Sequence, residues 1–109
     1  MGRVSTNPLE GDDEDWVTAQ ALQRYAVLSL HIHSAENTGY PDRIYFIPGG
    51  RPLFIEHKRL GELPTSRQTL IHQRLRHAGY NVQVCDTRHR AIEAVGQAVA
   101  AAQLPEKSR

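Results

Sequence analysis

The chain has 109 residues, a formal net charge of +1, six histidines and a single cysteine. This length builds one modest core, the lone cysteine excludes an internal disulfide, and no apolar run is long enough to span a bilayer. The N-terminus lacks the basic-then-apolar pattern of a secretory leader.

Charge divides the chain. Residues 1–15 carry Glu10, Asp12, Asp13, Glu14 and Asp15 against Arg3, whereas residues 16–109 hold twelve lysines and arginines against seven acids. A basic folded part suits a polyanionic partner, and Arg59, Arg67, Arg74, Arg76, Arg88 and Arg90 crowd its second half. Spacing alone does not put them on one face, so an ordinary solvated surface explains them equally well.

In chain order, a flexible acidic head over residues 1–13 precedes a domain over 14–104. The first helix is expected to begin near Asp15, where acids favour the positive helix end, and to carry Trp16, Val17, Ala21, Leu22 and Tyr25 inward. A short strand follows around Val27 to His33, with His31 and His33 alternating on one face. No cysteine or third histidine lies near them in sequence, so zinc is not expected. A polar loop runs from Ser34 to Gly39. Next come two runs rich in β-branched and aromatic residues, Arg43 to Ile47 and Leu53 to Lys58, with Pro48-Gly49-Gly50 between them as hairpin chemistry.

A helix is expected over Ser66 to Ala78, with Leu70, Ile71, Leu75 and Ala78 inward and Gly79 as its stop. Thr65 and Gln68 fit a capping box at its start. Asn81 to Cys85 reads as the last strand, with Cys85 buried as in a reducing compartment. Thr87 then starts a helix with the stripe Ala91, Ile92, Val95, Ala98, Val99 and Ala102, and Pro105 to Arg109 form a flexible tail. The whole reads as α/β: a four-stranded mixed sheet flanked by helices in the order αβββαβα.

The chemistry concentrates between Gly39 and Lys58. A hairpin turn centred on Gly49 sets Asp42 across from Glu56, with Lys58 on the same face. Two carboxylates at that spacing repel unless a cation sits between them, and an oxygen-only pair suits Mg²⁺ or Mn²⁺, with the His57 backbone carbonyl and a phosphate oxygen as further ligands. Lys58 is then placed to orient an attacking water or to offset charge on a phosphoryl group. The bland alternative is a solvated strand with a weak Glu-x-Lys ion pair and ordinary Pro-Asp turn chemistry.

Gly39-Tyr-Pro-Asp-Arg43, Gly49 to Lys58, Gly61, Ser66-Arg-Gln68 and His77-Ala-Gly-Tyr-Asn-Val-Gln-Val84 together resemble the VRR-NUC domain of the PD-(D/E)xK nuclease superfamily, in its small stand-alone phage and prophage form. The resemblance covers about residues 16 to 95. It implies a restriction-endonuclease-like core and a Mg²⁺- or Mn²⁺-dependent DNA endonuclease acting in the cytoplasm of a bacterial host. Asp42 falls on the family's metal-binding aspartate, Glu56 on its second acidic ligand, Lys58 on its catalytic lysine and Gln68 on the glutamine that supports the site. For Gln68, the capping box is a structural explanation that needs no catalysis.

Many members carry a glutamate on the first helix. The stretch from Val17 to Gln23 has no acid, so Glu14, Asp15 or a water-bridged Gln20 are the available substitutes. Stand-alone relatives are similar to Holliday-junction resolvases, which implies branched DNA and a homodimer. A flap-, nick- or end-directed monomer and a catalytically silent DNA-binding subunit are the alternatives. Arg43, Arg59 and Arg67, nearest the site in sequence, are the expected phosphate contacts. The Ala-rich last helix is either a dimer interface or part of the core.

Overall fold

A computed structural model describes residues 10–33 and 39–104. Its elements run α1 (Glu10–Tyr25), β1 (Leu28–His31), β2 (Arg43–Phe46), β3 (Leu53–His57), α2 (Ser66–His77), β4 (Asn81–Cys85) and α3 (Arg88–Gln103). Residues 1–9 of the head expected over 1–13, the tail expected over 105–109, and most of the polar loop lie outside the described residues.

One boundary differs in a way that matters. The helix starts at Glu10 and not near Asp15, so residues 10–13 belong to it. The physical reason is that acids stabilise the positive end of a helix, so the run Glu10 to Asp15 is itself the first turn and a half. At the other end Ala26 stands at φ 58°, with Ala26 N–H donating to Leu22 O and Val27 N–H to Ala21 O. The Ala26 bond is an αL stop, built on an alanine where glycine is usual, and the Val27 bond ties the outgoing chain back to the helix.

The sheet order is β1-β2-β3-β4, antiparallel for the first two pairs and parallel for β3 with β4, α2 being the crossover between them. Gly49 at φ 75° and the Gly50 N–H to Ile47 O bond close the hairpin turn. This turn fixes the register as Arg43↔Ile55, Ile44↔Phe54 and Tyr45↔Leu53, which is the register expected from a turn centred on Gly49.

Side chains alternate along β3 and so serve two layers. Leu53 and Ile55 join Val17 and Ala21 of α1, Tyr45 of β2, and Ala91, Ile92, Val95 and Val99 of α3 in the core. The α3 stripe is therefore core, packed against α1, and not a free interface. On the other face α2 lies over β4. It buries Ile71 and His72, while Leu70 and Ala78, expected inward, are exposed. On α1, Leu22 likewise points out. In both helices only two or three residues carry the contact, one of them polar, so apolar periodicity overstates the buried stripe.

Candidate active site

Glu56 and Lys58 sit on the α2 side of β3, and both are nearly closed to solvent. The Lys58 ammonium lies 3.6 Å from Glu56 Oε2. Gln68 reaches the same oxygen, its Nε2 donating at 3.1 Å. The capping box is present as well, with Gln68 Oε1 accepting from Thr65 N–H at 2.9 Å and Gln68 N–H donating to Thr65 Oγ1 at 3.1 Å. One amide group thus makes two contacts: its oxygen caps the start of α2 and its nitrogen reaches a buried carboxylate.

Asp42 stands where the β2–β3 ladder ends. Continuing the register by one residue sets it opposite Glu56, but its N–H donates to Ile55 O at 3.1 Å and its Oδ2 accepts from His57 N–H at 2.7 Å. The carboxylate therefore caps the end of β3. Burial pushes its proton affinity above the usual carboxylate range; the His57 amide opposes this, the Glu14 carboxylate adds to it, and the Lys58 ammonium and His31 oppose it. Lys58 thus acts on Asp42 and on Glu56, linking the two acids expected at this site.

The backbone that carries Asp42 depends on Gly39. A Cβ there, at φ +109°, would stand 2.7 Å from Arg67 O, so only glycine lets the chain lie against the start of α2. Pro41 behind it is buried. Hence the Gly-Tyr-Pro-Asp segment and the Gln68 turn are assembled as one unit.

Glu14 is the acid that sequence reasoning listed but could not place. It lies in the body of α1, is largely buried, and bonds His31 Nδ1 at 2.7 Å and Arg43 Nη1 at 3.1 Å. Its spacing to Val17 and Ala21 puts it on the buried stripe, a signal that a helix start at Asp15 concealed. Asp15 is exposed, and Gln20 accepts from Arg24 Nε at 2.7 Å, so neither takes that role in the structure.

His72 stands outside the residues expected at the site, because its spacing from His77 does not place the pair on one helix face. It follows Gln68 by one helical turn, is 1% exposed, and places Nε2 3.4 Å from Glu56 Oε1. Burial, with Arg76 and Lys58 nearby, lowers its pKa and keeps the ring neutral. His57 turns the opposite way, into the core, where its Nε2 lies 3.1 Å from the Tyr45 hydroxyl and burial lowers its pKa to about 4. Cys85 beside it is buried as expected, its thiol pushed up to about 11.

The arginines separate into two groups. Arg59 and Arg67 are exposed near the site. Arg43 is instead held inside, bonded to Glu14 and to Ser29 Oγ at 2.8 Å. Arg76 donates to Val82 O, Arg88 to Asp13 and Arg90 to Asp86, so the basic run in the sequence is partly internal bonding.

Among the described residues no three His, Cys, Asp or Glu side chains converge on one point. Mg²⁺ needs no such cage, because it binds through one or two carboxylates and completes its shell with water and phosphate. The donor set fits such an ion: oxygen ligands only, and in Asp42 a carboxylate whose negative charge is disfavoured by burial and by Glu14, a penalty that a cation would relieve.

Comparison with known proteins agrees with this reading of the fold. A solved structure titled "VRR_NUC domain" superposes with a TM-score of 0.70 at 23% identity, covering 80% of this chain and 94% of that one. The chain is also similar to "Putative nuclease p44" of Acyrthosiphon pisum secondary endosymbiont phage 1, 42% identical over 50 residues, which is 46% of this chain and 54% of that protein. The match spans about half the length of this curated relative. No family model matches the chain.

Proposed function

We propose, for a chain that has the fold of a VRR_NUC domain, the activity of a metal-dependent, structure-selective DNA endonuclease that hydrolyses phosphodiester bonds. The observation that carries this is the cluster on the α2 face, the buried Glu56 Oε2 being held by Gln68 at 3.1 Å and approached by the buried Lys58 at 3.6 Å, with the Asp42 carboxylate capping the end of β3. A carboxylate and an ammonium buried together for stability alone are poor value, since apolar residues of similar volume serve as well. Asp42, whose carboxyl is pushed up by burial, is the kind of perturbed group that clusters at functional sites.

In this reading Asp42 and Glu56, with the His57 carbonyl, hold Mg²⁺ or Mn²⁺. When bound, the ion supplies Lewis-acid activation of water and of the scissile phosphate. Lys58 orients the nucleophilic water and offsets negative charge growing on the phosphoryl oxygens. Gln68 fixes the Glu56 carboxylate, and Glu14, held by Arg43 and His31, adds negative potential at Asp42. Arg59 and Arg67 contact the DNA backbone, positioning it without reading bases.

The substrate we favour is a four-way junction, cut by a homodimer whose two sites match its symmetry. Leu28, Leu30 and Phe46, exposed together on β1 and β2, offer an apolar surface for the second copy. No helix among the described residues is long and apolar enough to cross a membrane. Work inside a bacterial host cell, under a phage or prophage gene, completes the proposal.

The test is a panel of four-way junction, flap, single-stranded and plain duplex DNA, incubated with Mn²⁺, Mg²⁺ or chelator, alongside a solution mass. Wild type is expected to cut the junction only with metal, while Glu56→Ala and Lys58→Ala bind it and leave it whole. Cutting of flaps or ends by a monomer supports the flap- or end-directed reading. Binding without cutting by wild type leaves a silent DNA-binding subunit.

A further inference from the structure

His72 belongs to the Glu56 cluster by geometry alone, and the reaction just described gives it no part. It is 1% exposed, and its Nε2 sits 3.4 Å from Glu56 Oε1, on the opposite carboxylate oxygen from Gln68 and Lys58. That separation is longer than an ordinary hydrogen bond, and Nε2 makes no hydrogen bond in the structure. A buried ring nitrogen facing a carboxylate is rarely left so without a reason, because a desolvated donor or acceptor without a partner destabilises the fold.

We infer that His72 is a positioning residue for Glu56: its Nε2–H tautomer faces Oε1, while Gln68 and Lys58 engage Oε2, so the carboxylate is confined to one orientation toward a divalent cation. The tautomer follows from the partner. A neutral imidazole has one N–H, and only the form carrying it on Nε2 is attracted to a carboxylate oxygen at this site. The helix supplies the rest, since Gln68 and His72 lie one turn apart and reach one acid from one face.

This inference rests on Glu56 being a metal ligand, and the experiment separates the two claims. Mn²⁺ binding to the full-length, metal-free protein is measured by calorimetry, with a thermal melt of each variant. His72→Leu keeps the volume and removes the donor; His72→Gln keeps a donor amide near the position of Nε2. Partners outside the ligand shell are typically worth 10–100-fold in metal affinity, so His72→Leu is expected to bind Mn²⁺ at least about tenfold more weakly, and His72→Gln within about threefold of wild type.

The inference is overturned if a folded His72→Leu binds Mn²⁺ like wild type, if both variants weaken it equally, or if neither folds, since the ring is then a packing residue. Glu56→Gln is the control. Loss of Mn²⁺ in Glu56→Gln but not in His72→Leu sinks the His72 claim alone, whereas unchanged binding in Glu56→Gln sinks the metal-site reading beneath it.

Discussion

Gln68 makes two bonds that different substitutions separate. Thr65→Ala removes the capping acceptor at 3.1 Å and leaves the Glu56 contact in place, a loss of about 1 kcal/mol typical of an N-cap. In Gln68→Ala the Thr65 N–H at 2.9 Å and the Glu56 oxygen at 3.1 Å both lose a partner. A hydrogen bond to a charged group is worth about 1.5–3 kcal/mol, so Gln68→Ala is expected to cost about 2–3 kcal/mol in total. At about 4–8 °C per kcal/mol for a domain of this size, the Tm of Thr65→Ala should fall by about 4–8 °C and that of Gln68→Ala by at least about 8 °C.

Gln68→Glu completes the series. It keeps the acceptor for Thr65 N–H, as in the commoner form of the capping box, but sets a second carboxylate against Glu56. Cleavage with Mn²⁺ should be near normal in Thr65→Ala and at least about tenfold slower in both Gln68 variants, the usual scale for a residue that supports a metal ligand. Circular-dichroism melts and junction cleavage well below Tm measure the two effects. Equal losses of Tm and of cleavage in Thr65→Ala and Gln68→Ala would refute the dual role and reduce Gln68 to a helix cap.

Three further outcomes follow from the structure. His57, lowered from 6.5 to about 4 by burial, binds fewer protons folded than unfolded. Its contribution is therefore intact above the unfolded value and disappears as pH falls from 6.5 towards 4, about 3 kcal/mol in all; urea unfolding across this range should show the slope, and His57→Leu should flatten it. Ala26→Gly relieves a left-handed alanine at φ 58° and should raise stability by about 0.5–1 kcal/mol, read as a higher urea midpoint at unchanged m-value. Arg59→Ala and Arg67→Ala should each weaken DNA binding and reduce the salt slope by about 1, whereas Arg43→Ala should chiefly lower Tm because it strips a partner from the buried Glu14; a reversed pattern in filter binding and melts would show that Arg43 faces the DNA.

The hairpin was legible because its determinants are local. Pro48-Gly49-Gly50 chooses the turn, the turn chooses the register, and the register follows without knowledge of the rest of the chain. The capping box and the order of elements were legible for the same reason. Glu14 was obscured by reading a run of acids as a solvated head, although the same acids stabilise a helix start. His72 and the inward turn of Arg43 were hidden more deeply. Both depend on where α2 and α1 lie over the sheet, and no periodicity within one element encodes that.

The alternation of β3 explains how one short strand serves the core on one face and the candidate site on the other. Its odd positions, Leu53, Ile55 and His57, point to α1 and α3, where Tyr45 and the α3 valines enclose them. Glu56, and Lys58 just beyond the strand's end, point to the α2 side, where Gln68 and His72 approach. Substitutions on either face should therefore act largely on one property, stability or chemistry. Asp42 is the exception, because its oxygen binds the backbone of His57 while its charge is felt by Lys58 on one side and by Glu14 on the other. Asp42→Asn keeps an acceptor for the His57 amide and removes only the charge, so a near-wild-type melt with no cleavage is the expected result. A large loss of Tm in Asp42→Asn would mean that the charge serves the fold and not the phosphodiester.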